Sequence, residues 1–211
     1  KNGDAPTQLF TSQNEIKGLT QDTDFLYASG CQLNGKSTLQ QIAKANGAAN
    51  IVATDARCAR IVAADTANLY LIISDRASGD ELHRVPKTGS AFEKIATLAL
   101  YPVVVGRIVA DERLIYWTTR QDAGKPQGDA DDYNSILALN RAGTPIKVIA
   151  IQQPRPSALA MDAANLYWSN CGTARFTFEN AGLMRAAKSG GAAVLIAPGI
   201  CATDLAVDAG N

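Results

Sequence analysis

The feature that most restricts this chain is a phrase that keeps returning. It reads Asp22-Thr-Asp-Phe-Leu-Tyr27, Asp65-Thr-Ala-Asn-Leu-Tyr70, Asp111-Glu-Arg-Leu-Ile-Tyr116, Asp162-Ala-Ala-Asn-Leu-Tyr167 and, cut short, Asp208-Ala-Gly-Asn211. Asp and Tyr are five residues apart in each complete copy, and successive aspartates lie 43, 46, 51 and 46 residues apart. A second phrase recurs inside each unit and runs into a glycine turn, from Leu39 to Gly47, Leu82 to Gly89, Ile136 to Gly143 and Leu183 to Gly190. Each turn follows a basic residue, Lys44, Lys87, Arg141 or Lys188, and is followed by a β-rich run such as Lys94-Ile-Ala-Thr-Leu98. Glycine accepts positive φ at little steric cost, so these positions end one strand and start the next.

One unit therefore reads as four short antiparallel strands. Strand a ends at the Asp turn, b begins at Leu-Tyr, c carries the second phrase and d follows the glycine turn. A period near 45 built this way is the signature of propeller blades, and the fold class expected is an all-β propeller. Alanine is abundant, but no segment keeps an i, i+3, i+4, i+7 apolar stripe between turn signals, which argues against helix. The repeated Asp and Tyr are read as architecture: Asp bonds the amides just ahead of it, and the Tyr ring packs between blades. Four whole blades are expected at about 15–55, 58–100, 104–152 and 156–197. Residues 6–12 would be strand d of a preceding blade and 200–208 strand a of a following one. The chain is then a single, partial propeller from a six- to eight-bladed disc, with two sheet faces needing cover from the remaining blades or a protein partner.

Composition narrows the class further. In 211 residues, 46% are hydrophobic and 19% charged, with 20 basic and 20 acidic side chains. That is globular, and zero net charge gives no electrostatic reason for nucleic acid or an anionic membrane as partner. The longest apolar runs, such as Val103 to Val105, fall far short of the roughly 20 residues that cross a bilayer. Lys1-Asn2-Gly3-Asp4 has neither an initiator Met nor an apolar signal core, and is read as the start of a chain with its leader removed or of an excised piece.

Leu114-Ile-Tyr-Trp-Thr-Thr119 and Leu166-Tyr-Trp-Ser-Asn170, each preceded by Asp and followed by the basic-x-Gly turn, resemble the YWTD repeats of low-density-lipoprotein-receptor-type propellers. They are also similar to NHL-type and secreted bacterial propellers. Blades 1 and 2 have Leu26-Tyr-Ala-Ser29 and Leu69-Tyr-Leu-Ile72 at this place, without the Trp. The resemblance implies six blades and a binding or scaffolding surface rather than a fixed chemistry.

The four cysteines fall in matched registers. Cys31 and Cys171 each lie four residues after a motif Tyr, and Cys58 and Cys201 each seven before a motif Asp. The end of strand b and the start of the next blade's a share one face of the disc, so the pairs expected are Cys31–Cys58 and Cys171–Cys201. With one His and no C-x-x-C spacing, a metal site at these cysteines is disfavoured. Two bridges place the chain outside the cytoplasm, whether secreted, at the cell surface or periplasmic.

No catalytic residue is nominated. The only histidine, His83, shares its strand-c register with Gln40, Leu137 and Met184, as a blade-face residue would. The longest b–c connection, in blade 3, carries Asp122, Asp129, Asp131, Asp132 and Asn134. These hard oxygens suit Ca²⁺ but lack EF-hand spacing; no other cofactor is expected. The matching loop of blade 4 holds Phe176 and Phe178, one residue apart, as a possible protein interface. The function expected is a non-catalytic protein- or ligand-binding scaffold. A structural subunit of a larger assembly is the alternative, and a propeller hydrolase or lyase comes last.

Overall fold

The computed structural model describes residues 8–12, 14–75, 77–100, 103–121, 134–144, 146–172 and 180–208. Its described residues form four four-stranded sheets, each in chain order, and no helix. The first contains β1 (Glu15–Gln21), β2 (Phe25–Cys31), β3 (Ser37–Ala43) and β4 (Ala49–Asp55). The second contains β5 (Ala59–Ala64), β6 (Asn68–Asp75), β7 (Gly79–Pro86) and β8 (Glu93–Ala99). The third contains β9 (Val103–Ala110), β10 (Leu114–Gln121), β11 (Ile136–Asn140) and β12 (Ile146–Ala150). The fourth contains β13 (Pro156–Met161), β14 (Asn165–Asn170), β15 (Gly182–Ala187) and β16 (Val194–Pro198). These are the a, b, c and d strands of four propeller blades, numbered 1 to 4 below.

The Asp and glycine turns cut the chain into strands of five to eight residues, too short for anything but a meander. Strand b of blade 2 is apolar without alternation, and Leu69 to Ile73 are all within 2% of full burial, because both faces of the strand are covered. Strand d faces outward instead, and Val194, Leu195 and Ile196 of β16 are exposed. Every a–b pair carries a register shift, at Ile16/Gly18, Ile61/Ala63, Trp117/Thr119 and Pro156/Leu159. A bulge at one repeated place sharpens the strand twist in all four blades.

Two compact units are distinguished, Lys1–Ser74 with Glu81–Ile95, and Asp75–Asp80 with Ala96–Asn211. In the first, Tyr27 and Leu39 of blade 1 pack with Ile61, Leu69, Leu71 and Ile73 of blade 2. Gly18 lies at this junction, where a Cβ would collide with the Ile61 carbonyl oxygen. In the second, Tyr116 and Ile136 of blade 3 pack with Leu159, Leu166 and Trp168 of blade 4. Each inter-blade core is thus built from a motif Tyr and the inner strands of the blade that follows.

Residues 8–12 and 200–208 are in no strand, in contrast to the flanking strands expected from the repeat. Their positions still follow it. Ser29 Oγ accepts a hydrogen bond from Ile61 N at 2.9 Å, and Ser169 Oγ accepts one from Ala202 N at 2.8 Å. Leu9 passes over Gly47 as Val52 passes over Gly89. A ladder needs a partner strand, and among the described residues none pairs with either segment.

Candidate functional site

The repeated aspartate builds the same small structure four times. Its Oδ1 accepts the amides two and three residues on: Asp24 and Phe25 for Asp22, Ala67 and Asn68 for Asp65, Arg113 and Leu114 for Asp111, Ala164 and Asn165 for Asp162, all at 2.6–3.1 Å. Its Oδ2 accepts the motif Tyr hydroxyl, at 2.8 Å from Tyr27, 2.7 Å from Tyr70, 3.3 Å from Tyr116 and 2.7 Å from Tyr167. The spacing of five fits because a tight turn followed by two strand residues returns the ring to the carboxylate.

At Asp22 and Asp111 a third member arrives from the following blade. Lys87 Nζ donates to Asp22 Oδ2 at 2.6 Å and stands 4.9 Å from the Tyr27 ring centre. Lys188 Nζ does the same at Asp111 Oδ2, 2.9 Å, and Tyr116, 5.7 Å. Both lysines are the basic residue of a basic-x-Gly turn, whose Gly89 and Gly190 have φ of 88° and 98°. Burial by itself would raise the Asp22 carboxyl, but the Lys87 ammonium, the Tyr27 hydroxyl and two backbone amides outweigh it and hold the group well below the usual range. Asp111 is lowered in the same way, against burial, by Lys188 and two amides. Burial, together with the Asp111 charge, pushes Tyr116 up to about 12.

The densest titratable cluster lies in blade 2. Glu81 and His83, two residues apart on β7 and so on one face, are 5% and 3% exposed. Glu81 Oε1 accepts Lys94 Nζ at 2.5 Å, while its Oε2 meets Arg57 Nη1 at 3.2 Å and His83 Nε2 at 3.0 Å. The Lys94 hydrogen bond outweighs burial and, with His83, lowers the Glu81 carboxyl to about 2. The cluster ties β7 to β8 and to the segment after β4. His83 Nδ1 is buried with no hydrogen-bond partner, and its ring leans on Phe92 at 6.4 Å. A Glu–His pair is an acid–base unit in principle, but here both groups are closed off from solvent and bonded within the blade.

The disulfides are Cys31–Cys58 and Cys171–Cys201, the register-matched pairs, with Cα separations of 5.5 and 4.6 Å. Of the acidic loop only Asn134 is described. It is buried, and its backbone oxygen accepts the Gln153 amide at 2.9 Å. Asp122, Asp129, Asp131, Asp132, Phe176 and Phe178 lie outside the described residues. Among the described residues no three His, Cys, Asp or Glu are grouped to hold a metal ion, and no helix is long and apolar enough to cross a membrane. Sequence reading missed Lys87 and Lys188 as inter-blade partners, because it took the basic residue only as turn punctuation. It also missed Glu81, although its spacing of two from His83 was a usable signal.

No family model matches the chain, and no curated protein matches it in sequence. Solved structures do resemble it. An oligogalacturonate lyase in complex with manganese aligns with a TM-score of 0.63 at 10% identity, over 91% of this chain and 56% of that one. A puromycin-hydrolyzing peptidase of Mycobacterium tuberculosis gives 0.59 at 12%, over 89% and 33%. The computationally designed Ika4 protein gives 0.50 at 11%, over 93% and 99%. The chain thus spans about half of the lyase and a third of the peptidase. At such identities the likeness is one of fold, and the class it defines with the four repeated blades is the β-propeller.

Proposed function

We propose that this chain is a non-catalytic propeller that binds a protein or another ligand in an oxidising, extracytoplasmic setting, in keeping with its resemblance to YWTD-type repeats. The observation that carries the reading is the closure of the Glu81–His83 pair. The chain's one histidine and its strongest carboxylate partner are 3% and 5% exposed and hold Lys94 and Arg57 rather than face a cleft. The motif aspartates are likewise taken up by turn amides and tyrosine hydroxyls. Two disulfides, each stapling one blade to the start of the next, support the compartment.

The test is turnover against binding. The oxidised chain is incubated with oligogalacturonate and with chromogenic peptide substrates, the classes named by its structural neighbours, and saturable binding is measured in parallel on carbohydrate and peptide arrays. Binding without turnover, unchanged by His83→Ala, supports the scaffold. Turnover that His83→Ala or Glu81→Gln abolishes overturns it. A second reading, a structural subunit of a larger assembly, is favoured by the incomplete cover over Tyr167.

A further inference from the structure

The Tyr–Asp–Lys arrangement is filled at Tyr27 and Tyr116 and unfilled at Tyr167. Tyr27, Tyr70 and Tyr116 are each 1% exposed, whereas Tyr167, in the same register and with the same 2.7 Å bond to its aspartate, is only partly buried. Asp22 and Asp111 each receive a lysine from the following blade; among the described residues Asp162 receives no cation. Beside Tyr167 opens a cleft of about 510 Å³ lined by Tyr167, Ala206, Val207 and Asp208. The floor for a new blade is in place, because Ser169 fixes Ala202 as Ser29 fixes Ile61 at the start of β5.

We infer that the open face of blade 4 is a docking surface for one further blade of this repeat type, whose basic residue in the c–d turn inserts over the Tyr167 ring and pairs with Asp162. The occupant follows from charge and shape. A cation is what Asp22–Tyr27 and Asp111–Tyr116 take, a lysine at the end of strand c delivers it in both, and a carboxylate beside an aromatic face attracts it through both the ion pair and the ring quadrupole. Strands b and c of the newcomer would cover Tyr167 and Val207 as blade 2 covers Tyr27. The inference stands whether the propeller only binds its ligand or turns it over, because it concerns the joint between blades.

The test appends residues 66–99 of this chain, a second copy of strands b to d of blade 2, directly after Asp208. The appended copy carries its own Lys87 and no cysteine. The expected result is a melting temperature raised by about 5 °C or more, together with protection of Tyr167 from tetranitromethane, read by peptide mapping. Lys87→Met in the appended copy and Asp162→Asn should each remove at least half of that gain, and the double variant should lose little more than either alone. An appended segment that is digested while the parent chain resists, or a gain indifferent to Asp162, overturns the proposal. So does a concentration-dependent dimer of the unextended chain that Asp162→Asn and Lys44→Met both weaken, because the occupant would then be a second copy. These readouts do not depend on substrate turnover, so failure here is distinct from failure of the scaffold reading.

Discussion

Acid should weaken this protein through one carboxylate more than its exposure would suggest. Glu81 is 6% exposed at its side chain and held near pKa 2 against an ordinary value of 4.5, chiefly by Lys94. A lowered folded pKa means that the ionised form stabilises the fold above the unfolded value, and that this contribution is lost as pH falls toward the folded one. At 1.36 kcal/mol per unit, replacing Glu81 with Gln, which mimics the protonated acid, should cost about 3 kcal/mol at pH 7, about 1 kcal/mol at pH 3 and a few tenths at pH 2. The measurement is urea denaturation of both proteins at these pH values, with the difference in stability plotted against pH. Lys94 is 47% and Arg57 43% exposed, so salt should trim the gap at pH 7 without moving the pH at which it closes. Lys94→Met should shift that closure upward, since it removes the main cause of the lowering. A gap that stays constant from pH 7 to 2, or one already absent at pH 7, would refute the reasoning.

Reduction, or replacement of either cysteine pair by serine, should cost about 3 kcal/mol per bridge, given loops of 27 and 30 residues, and non-reducing peptide maps should show only the 31–58 and 171–201 links. Gly18→Ala should destabilise sharply, by about 2 kcal/mol or more, because the added methyl meets the Ile61 backbone oxygen rather than a movable side chain; unchanged urea midpoints would sink this account of the blade 1–blade 2 junction. Asp22→Ala should cost about 1–3 kcal/mol by orphaning the Tyr27 hydroxyl, the Lys87 ammonium and two amides. Lys87→Met should raise the titration of Asp22 as followed by carbon-13 NMR, and an unmoved titration would contradict the assigned cause.

Local chemistry made the blades legible in the sequence. A turn that Asp opens, a strand that Leu-Tyr starts and a glycine at positive φ are decided within a few residues, so their period alone announces four strands per unit. The cysteine pairing was legible for the same reason, because two bridges in one register constrain each other. Tertiary structure decided the rest. Lys87 reaches Asp22 across 65 residues of chain, and Lys188 reaches Asp111 across 77, contacts that exist only once one blade is stacked on the next. Glu81 becomes a buried anion because the segment after β4 and strand β8 deliver Arg57 and Lys94 to it from outside its own strand. The difference between Tyr167 and its three counterparts is invisible in the repeat, where all four are the same letter. Burial depends on what lies against a ring, and that is fixed by the neighbouring sheet rather than by the residues around the tyrosine.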